Sequence, residues 1–72
     1  MFKNIELIRE CLVHAGNSSV FMDRLSKTLA WMTNDKTIGE QISSIKFNVT
    51  QAKSRLEEDI KLLHKLLEKE KQ

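Results

Sequence analysis

Apolar residues recur through the second half of the chain at helical spacing. Between Thr37 and Lys71, Ile38, Ile42, Ile45, Val49, Ala52, Leu56, Ile60, Leu63 and Leu67 fall inside an arc of about 80° when each residue advances by about 100°. This pattern predicts one long amphipathic helix over about 37–70. The steps of 4, 3, 4, 3, 4, 4, 3 and 4 average close to 3.6 residues rather than the 3.5 of a sustained heptad. A nearly straight helix, without a tight left-handed supercoil, is therefore expected. At about 1.5 Å per residue it reaches about 50 Å, longer than a lone globule of this size needs, so something must run alongside it.

The first half shows two shorter periodic stretches. Ile5, Ile8 and Leu12 repeat at helical spacing, Phe2, Cys11 and Ala15 widen their face, and Lys3, Glu6, Glu10 and His14 lie opposite, which predicts a helix over about 3–15. Gly16-Asn17-Ser18-Ser19 then reads as a stop followed by a new cap. Phe21, Met22, Leu25, Leu29 and Met32 form a second arc over about 19–32, with Val20 and Trp31 off it. Thr33-Asn34-Asp35-Lys36 ends that arm in turn-forming residues, and Thr37-Ile38-Gly39-Glu40 has the form of a capping box. The expected fold is all-α: an antiparallel helical hairpin with a broken N-terminal arm against one long C-terminal helix, in a single domain spanning 1–72. A compact three-helix bundle is the alternative.

Beyond Leu56 the apolar face widens to about 160°, because Leu62 and Leu66 add a row beside Ile60, Leu63 and Leu67. That is more than one covering helix buries. Asp59 lies within this arc, where it sits at a solvated edge paired with Arg55 or faces a cation of a partner. Glu57 and Lys61 are spaced to pair on the outer face. Phe47 points away from the main stripe. Leu56, Ile60, Leu62, Leu63, Leu66 and Leu67, with Trp31 and Phe47, are therefore the expected partner-binding residues.

Composition narrows the class. Seventy-two residues with 40% hydrophobic and 31% charged content, no proline and two glycines suit a helical protein near the size where one core only just offsets conformational entropy. No apolar run is long enough to span a membrane, acidic residues interrupt Met1 to Ala15 where a secretion leader would be continuous, and Cys11 has no second cysteine to pair with. These features predict a cytoplasmic location. The formal charge of +2, with signs interspersed, lacks the signature of a strong nonspecific nucleic-acid binder.

Candidate chemistry is sparse. Cys11-x-x-His14 places two metal ligands one turn apart, but His64 is the only other histidine, and Cys11 reads better as a small buried hydrophobe. No serine has a histidine and an acid at readable spacing, no glycine-rich phosphate loop is present, and Glu57, Glu58 and Asp59 splay around the helix. No catalysis, cofactor, metal or small-molecule substrate is expected. Thr37 to Leu56 also has the outline of a helix-turn-helix, with the turn at Lys46 to Asn48 and Thr50, Gln51, Lys53, Ser54 and Arg55 on a recognition helix. Against that outline, the apolar phase runs through the supposed turn without a slip.

A chain of about seventy residues with a shorter helical arm and a longer amphipathic C-terminal helix resembles the small co-chaperones of type III secretion needle proteins. The resemblance implies a helical hairpin that joins a larger tetratricopeptide-like chaperone to keep a needle subunit from polymerising. The residues themselves predict a non-enzymatic interaction module that binds a larger helical partner. A small helix-turn-helix DNA-binding regulator and a homo-oligomeric helical bundle with a structural role remain the alternatives.

Overall fold

A computed structural model describes residues 2–71, with side chains from Asn4 onward; the sequence readings of the Phe2 and Lys3 side chains fall outside what is described. The fold is an all-α hairpin of two long helices, α1 (Phe2–Ala30) and α2 (Gly39–Lys71), packed antiparallel. It measures 55 × 14 × 12 Å, and its radius of gyration is 16.4 Å. A compact domain of this length would have a radius of gyration of roughly 11 Å, so the hairpin is a rod.

The expected break in the N-terminal arm is absent. The arm is one helix of 29 residues, and Gly16-Asn17-Ser18-Ser19 lies in its interior. Packing explains the continuity. Along α1 the covered positions Ile5, Ile8, Leu12, Ala15, Ser19, Met22, Ser26 and Leu29 form an unbroken alternation of three and four residues, with Gly16 and Asp23 half-buried beside it, and its phase runs straight through the glycine. Gly16 costs about 1 kcal/mol of helix propensity, which a continuous template alongside can offset. Neither glycine has a positive φ, so nothing in the backbone marks a stop.

α2 answers with the same 3.5-residue rhythm: Gly39, Ile42, Lys46, Val49, Lys53, Leu56, Ile60, Leu63, Leu67 and Glu70 are the covered positions. This corrects the inward stripe read from sequence. Ile38, Ile45 and Ala52 are exposed, and Lys46 and Lys53 occupy seam positions in their place. An average step taken over all apolar residues had mixed the seam with its flank. Lys46, Phe47 and Asn48 are ordinary interior residues of α2, so residues 39–71 form one helix and not a helix-turn-helix.

The loop turns without any left-handed residue. The end of α1 tightens into three-residue hydrogen bonds, with Trp31 N–H donating to Thr28 O at 3.2 Å and Met32 N–H to Leu29 O at 3.0 Å. The Thr33 hydroxyl donates to Ala30 O at 2.9 Å. The start of α2 is capped by Asp35 rather than by a Thr37/Glu40 box. The Asp35 carboxylate accepts from Thr37 N–H at 2.8 Å, from Ile38 N–H at 3.3 Å and from the Thr37 hydroxyl. The Thr37 hydroxyl bond, followed by the two backbone bonds, holds the Asp35 carboxyl below its ordinary pKa of 3.8. Gly39 is buried under this turn, where a Cβ would stand 2.6 Å from the Thr33 carbonyl oxygen.

Candidate interaction face

The hairpin has two flanks, and ion pairing identifies one of them. The Lys53 ammonium reaches from the α2 seam to Asp23 at 3.1 Å and to Glu57 at 3.6 Å, while Lys27 also holds Asp23 at 3.1 Å. Hydrogen bonds from Lys27 and Lys53 hold the Asp23 carboxyl below its ordinary pKa, and the bond to Asp23 raises that of Lys53 against the opposing effect of its burial. Lys53 is therefore engaged in fixing the two helices in register. Asp23 and Glu57 occupy equivalent flanking positions of the seam, so like flanks lie side by side, as antiparallel pairing requires.

The other flank is apolar. Along α1 and the turn that follows it the flank carries Leu7, Cys11, Phe21, Leu25 and Met32, and along α2 and the turn that precedes it Ile38, Ile45, Ala52, Leu62 and Leu66. Met32 is half-buried and the rest are exposed. The exposure of Leu7, Phe21, Leu25, Ile38, Ile45, Leu62 and Leu66 ranges from 41% to 65%. With roughly half of each large side chain uncovered, this face exposes on the order of 500 Å² of apolar surface, near the upper end of what a monomer displays. Against this, Leu29 and Leu67, 5% and 9% exposed, are the only buried hydrophobic side chains among the described residues, and none is fully buried.

The face is divided at mid-height. Phe21, Leu25, Met32, Ile38 and Ile45 cluster towards the loop, and Leu7, Cys11, Leu62 and Leu66 towards the open end. Between them His14, Ser18, Arg55 and Asp59 form a polar waist, all four exposed. His14 faces Glu10 at 3.6 Å. Arg55 and Asp59 do not pair with each other, and neither has an ion-pair partner among the described residues. The arginine precedes the acid by one turn, the weaker order for such a pair on a helix. Glu57 likewise turns to Lys53 instead of the expected Lys61, because Lys53 precedes it at the covered seam.

Of the expected partner-binding residues, Leu62 and Leu66 lie on this face. Leu56, Ile60, Leu63 and Leu67 do not: they lie in the covered seam against α1. Phe47, 63% exposed, projects on the opposite flank, and Trp31, 88% exposed, stands at the end of α1. Cys11, read from sequence as buried, is exposed. The sequence pattern places Phe21, Leu25, Ile38 and Ile45 on covered stripes and assigns Leu7 to none. Ile38, Ile45, Ala52, Asp59 and Leu66 recur every seven residues, and that interval was the signal for a separate row.

The remaining surface offers little for small-molecule chemistry. Its concavities are shallow and open, one beside the loop at Asp35 and Thr37, one beside Phe47 and one over the Asp23–Lys53 pair. Among the described residues no three His, Cys, Asp or Glu side chains converge on a metal position, and no helix is long and apolar enough to cross a membrane. No family model matches the chain, and no curated protein or solved structure matches it.

Proposed function

We propose that this protein is a non-enzymatic interaction module, a helical hairpin that is completed when helices of another chain cover its apolar flank. The observation that carries this reading is the row of half-exposed leucine, isoleucine and phenylalanine side chains along that flank. The surface area agrees with it. The chain exposes 5976 Å², whereas a folded monomer of its 8.4 kDa mass exposes roughly 4,600 Å². The hairpin carries the surface of a part rather than of a finished domain. In the form that the co-chaperone resemblance implies, a larger tetratricopeptide-like chaperone supplies the covering helices, and the client is a subunit prone to polymerise.

The test is mass by light scattering, for the chain alone and after co-expression with its neighbouring gene products. The wild-type chain elutes above its monomer mass of 8.4 kDa in at least one of the two. Leu62→Asp/Leu66→Asp elutes as a helical monomer in both, because aspartate on the open flank opposes docking and leaves the seam intact. A wild-type chain that is a folded monomer in both experiments refutes the proposal.

A further inference from the structure

The waist of the apolar flank carries a charge pattern that a copy of itself would complete. Arg55 and Asp59 are exposed side by side and unpaired among the described residues, in the waist that they share with His14 and Ser18 between the two apolar clusters. Arg55 is also the central residue of α2 (Gly39–Lys71). A two-fold axis crossing the face at the level of residue 57 sets Arg55 of each copy opposite Asp59 of the other, making two reciprocal pairs. The same axis passes α1 close to Ser18, so the small Ser18 side chains meet where the two α1 helices come together. Cys11 of each copy then lies level with Leu25 of the other, which brings the open-end cluster of one hairpin onto the loop-end cluster of its mate.

We propose that the occupant of the apolar flank is a second copy of this chain, laid antiparallel across it about a two-fold axis at the Arg55/Asp59 waist, to give a dimeric four-helix bundle. The proposal rests on the interaction-module reading and specifies its partner. Size supports it. With the axis two residues from the centre of α2, the two rods overlap over most of their 55 Å. A face two helices wide, roughly 20 Å, then buries on the order of 2,000 Å² in total, within the range of stable homodimers. Each copy would hide on the order of 1,000 Å², comparable to its excess over the surface of a finished monomer. The opposite flank, with Asp23, Lys27, Lys53 and Glu57 already joined, remains solvated on the outside of the bundle. A parallel dimer would instead lay α2 over α1 of its mate, with Arg55 near Phe21, and would leave the arginine without its carboxylate.

Sedimentation equilibrium with charge reversal tests this, supported by disulfide trapping. The wild-type chain is a dimer, and Arg55→Asp or Asp59→Arg alone weakens it by about tenfold or more, because each reversal juxtaposes like charges twice. The double variant Arg55→Asp/Asp59→Arg restores the wild-type dissociation constant to within about threefold, which excludes simple misfolding as the cause. On a Cys11→Ser background, Ser18→Cys forms an intermolecular disulfide under mild oxidation, whereas Asn17→Cys on the outer side does not. A dimer indifferent to the single reversals, or one that Ser18→Cys fails to trap, overturns the proposed arrangement. A wild-type monomer that still docks a helical chaperone through Leu62 and Leu66 overturns the homodimer and leaves the interaction-module reading standing. A folded monomer that docks nothing overturns both.

Discussion

The two glycines of this chain should respond to alanine with opposite signs. Gly16 lies inside α1 with an ordinary helical φ, and a Cβ built on it meets nothing within 4 Å. Alanine there gains the full difference in helix propensity, about 0.8–1.0 kcal/mol, with no steric cost to set against it. For a domain of this size that raises Tm by roughly 4–8 °C. Gly39 is different. Its Cβ would stand 2.6 Å from the Thr33 carbonyl oxygen and 3.5 Å from the carbonyl carbon, both backbone atoms of the loop that returns the chain. Forcing that loop outward costs about 1–3 kcal/mol, against about 1 kcal/mol of propensity gained, so Gly39→Ala loses up to about 2 kcal/mol. The measurement is a pair of urea or thermal melts followed by circular dichroism at one fixed protein concentration, since association would otherwise shift both midpoints. If Gly16→Ala lowers stability, α1 breaks at residues 16–19 and the continuous seam is wrong. If Gly39→Ala raises it, the loop does not press on the first turn of α2.

Other expectations follow from burial and charge. Leu29, 5% exposed, is the most enclosed side chain of the seam, and Leu29→Ala should cost about 3 kcal/mol at any protein concentration in urea melts. Leu25, 46% exposed, should cost less than about 1 kcal/mol in a dilute sample, with a loss that grows on concentration as the flank becomes covered. Acid should weaken the fold. Asp23 and Asp35 both have folded pKa values below the ordinary 3.8, so their contribution is complete above about pH 4 and disappears as pH falls through the lowered values. Melts between pH 5 and 2 check this: wild type should lose stability below pH 3.8 more steeply than Asp23→Asn/Asp35→Asn, and equal slopes would remove both carboxylates from the account.

The architecture was readable because long helices announce themselves: α2 carries eight apolar residues within one arc of about 80°, and the absence of proline left no interior stop. Local signals misled where tertiary packing outweighed them. Gly16-Asn17-Ser18-Ser19 has the composition of a break, yet Ala15 and Ser19 are small enough to sit at a close helix–helix seam, and the seam decided the outcome. Thr37-Ile38-Gly39-Glu40 has the form of a capping box, but Asp35, two residues earlier, already offers an acceptor to Thr37 N–H and Ile38 N–H.

The face was harder to read, because α2 is apolar over a wider arc than α1 can cover. A stripe averaged over that arc has its centre between the covered seam and the open flank, which is why it enclosed Ile38, Ile45 and Ala52 and passed over Lys46 and Lys53. The substitution of lysines into the seam while isoleucines stand outside it has a consequence for stability. Lys53 reaches Asp23 and Glu57 from there, fixing register while contributing little apolar burial, and Lys46, Ser19 and Ser26 contribute still less. The apolar surface that would normally hold two helices together lies partly on the flank instead. A hairpin built this way gains much of its cohesion only when that flank is covered, so its folding and its association are coupled.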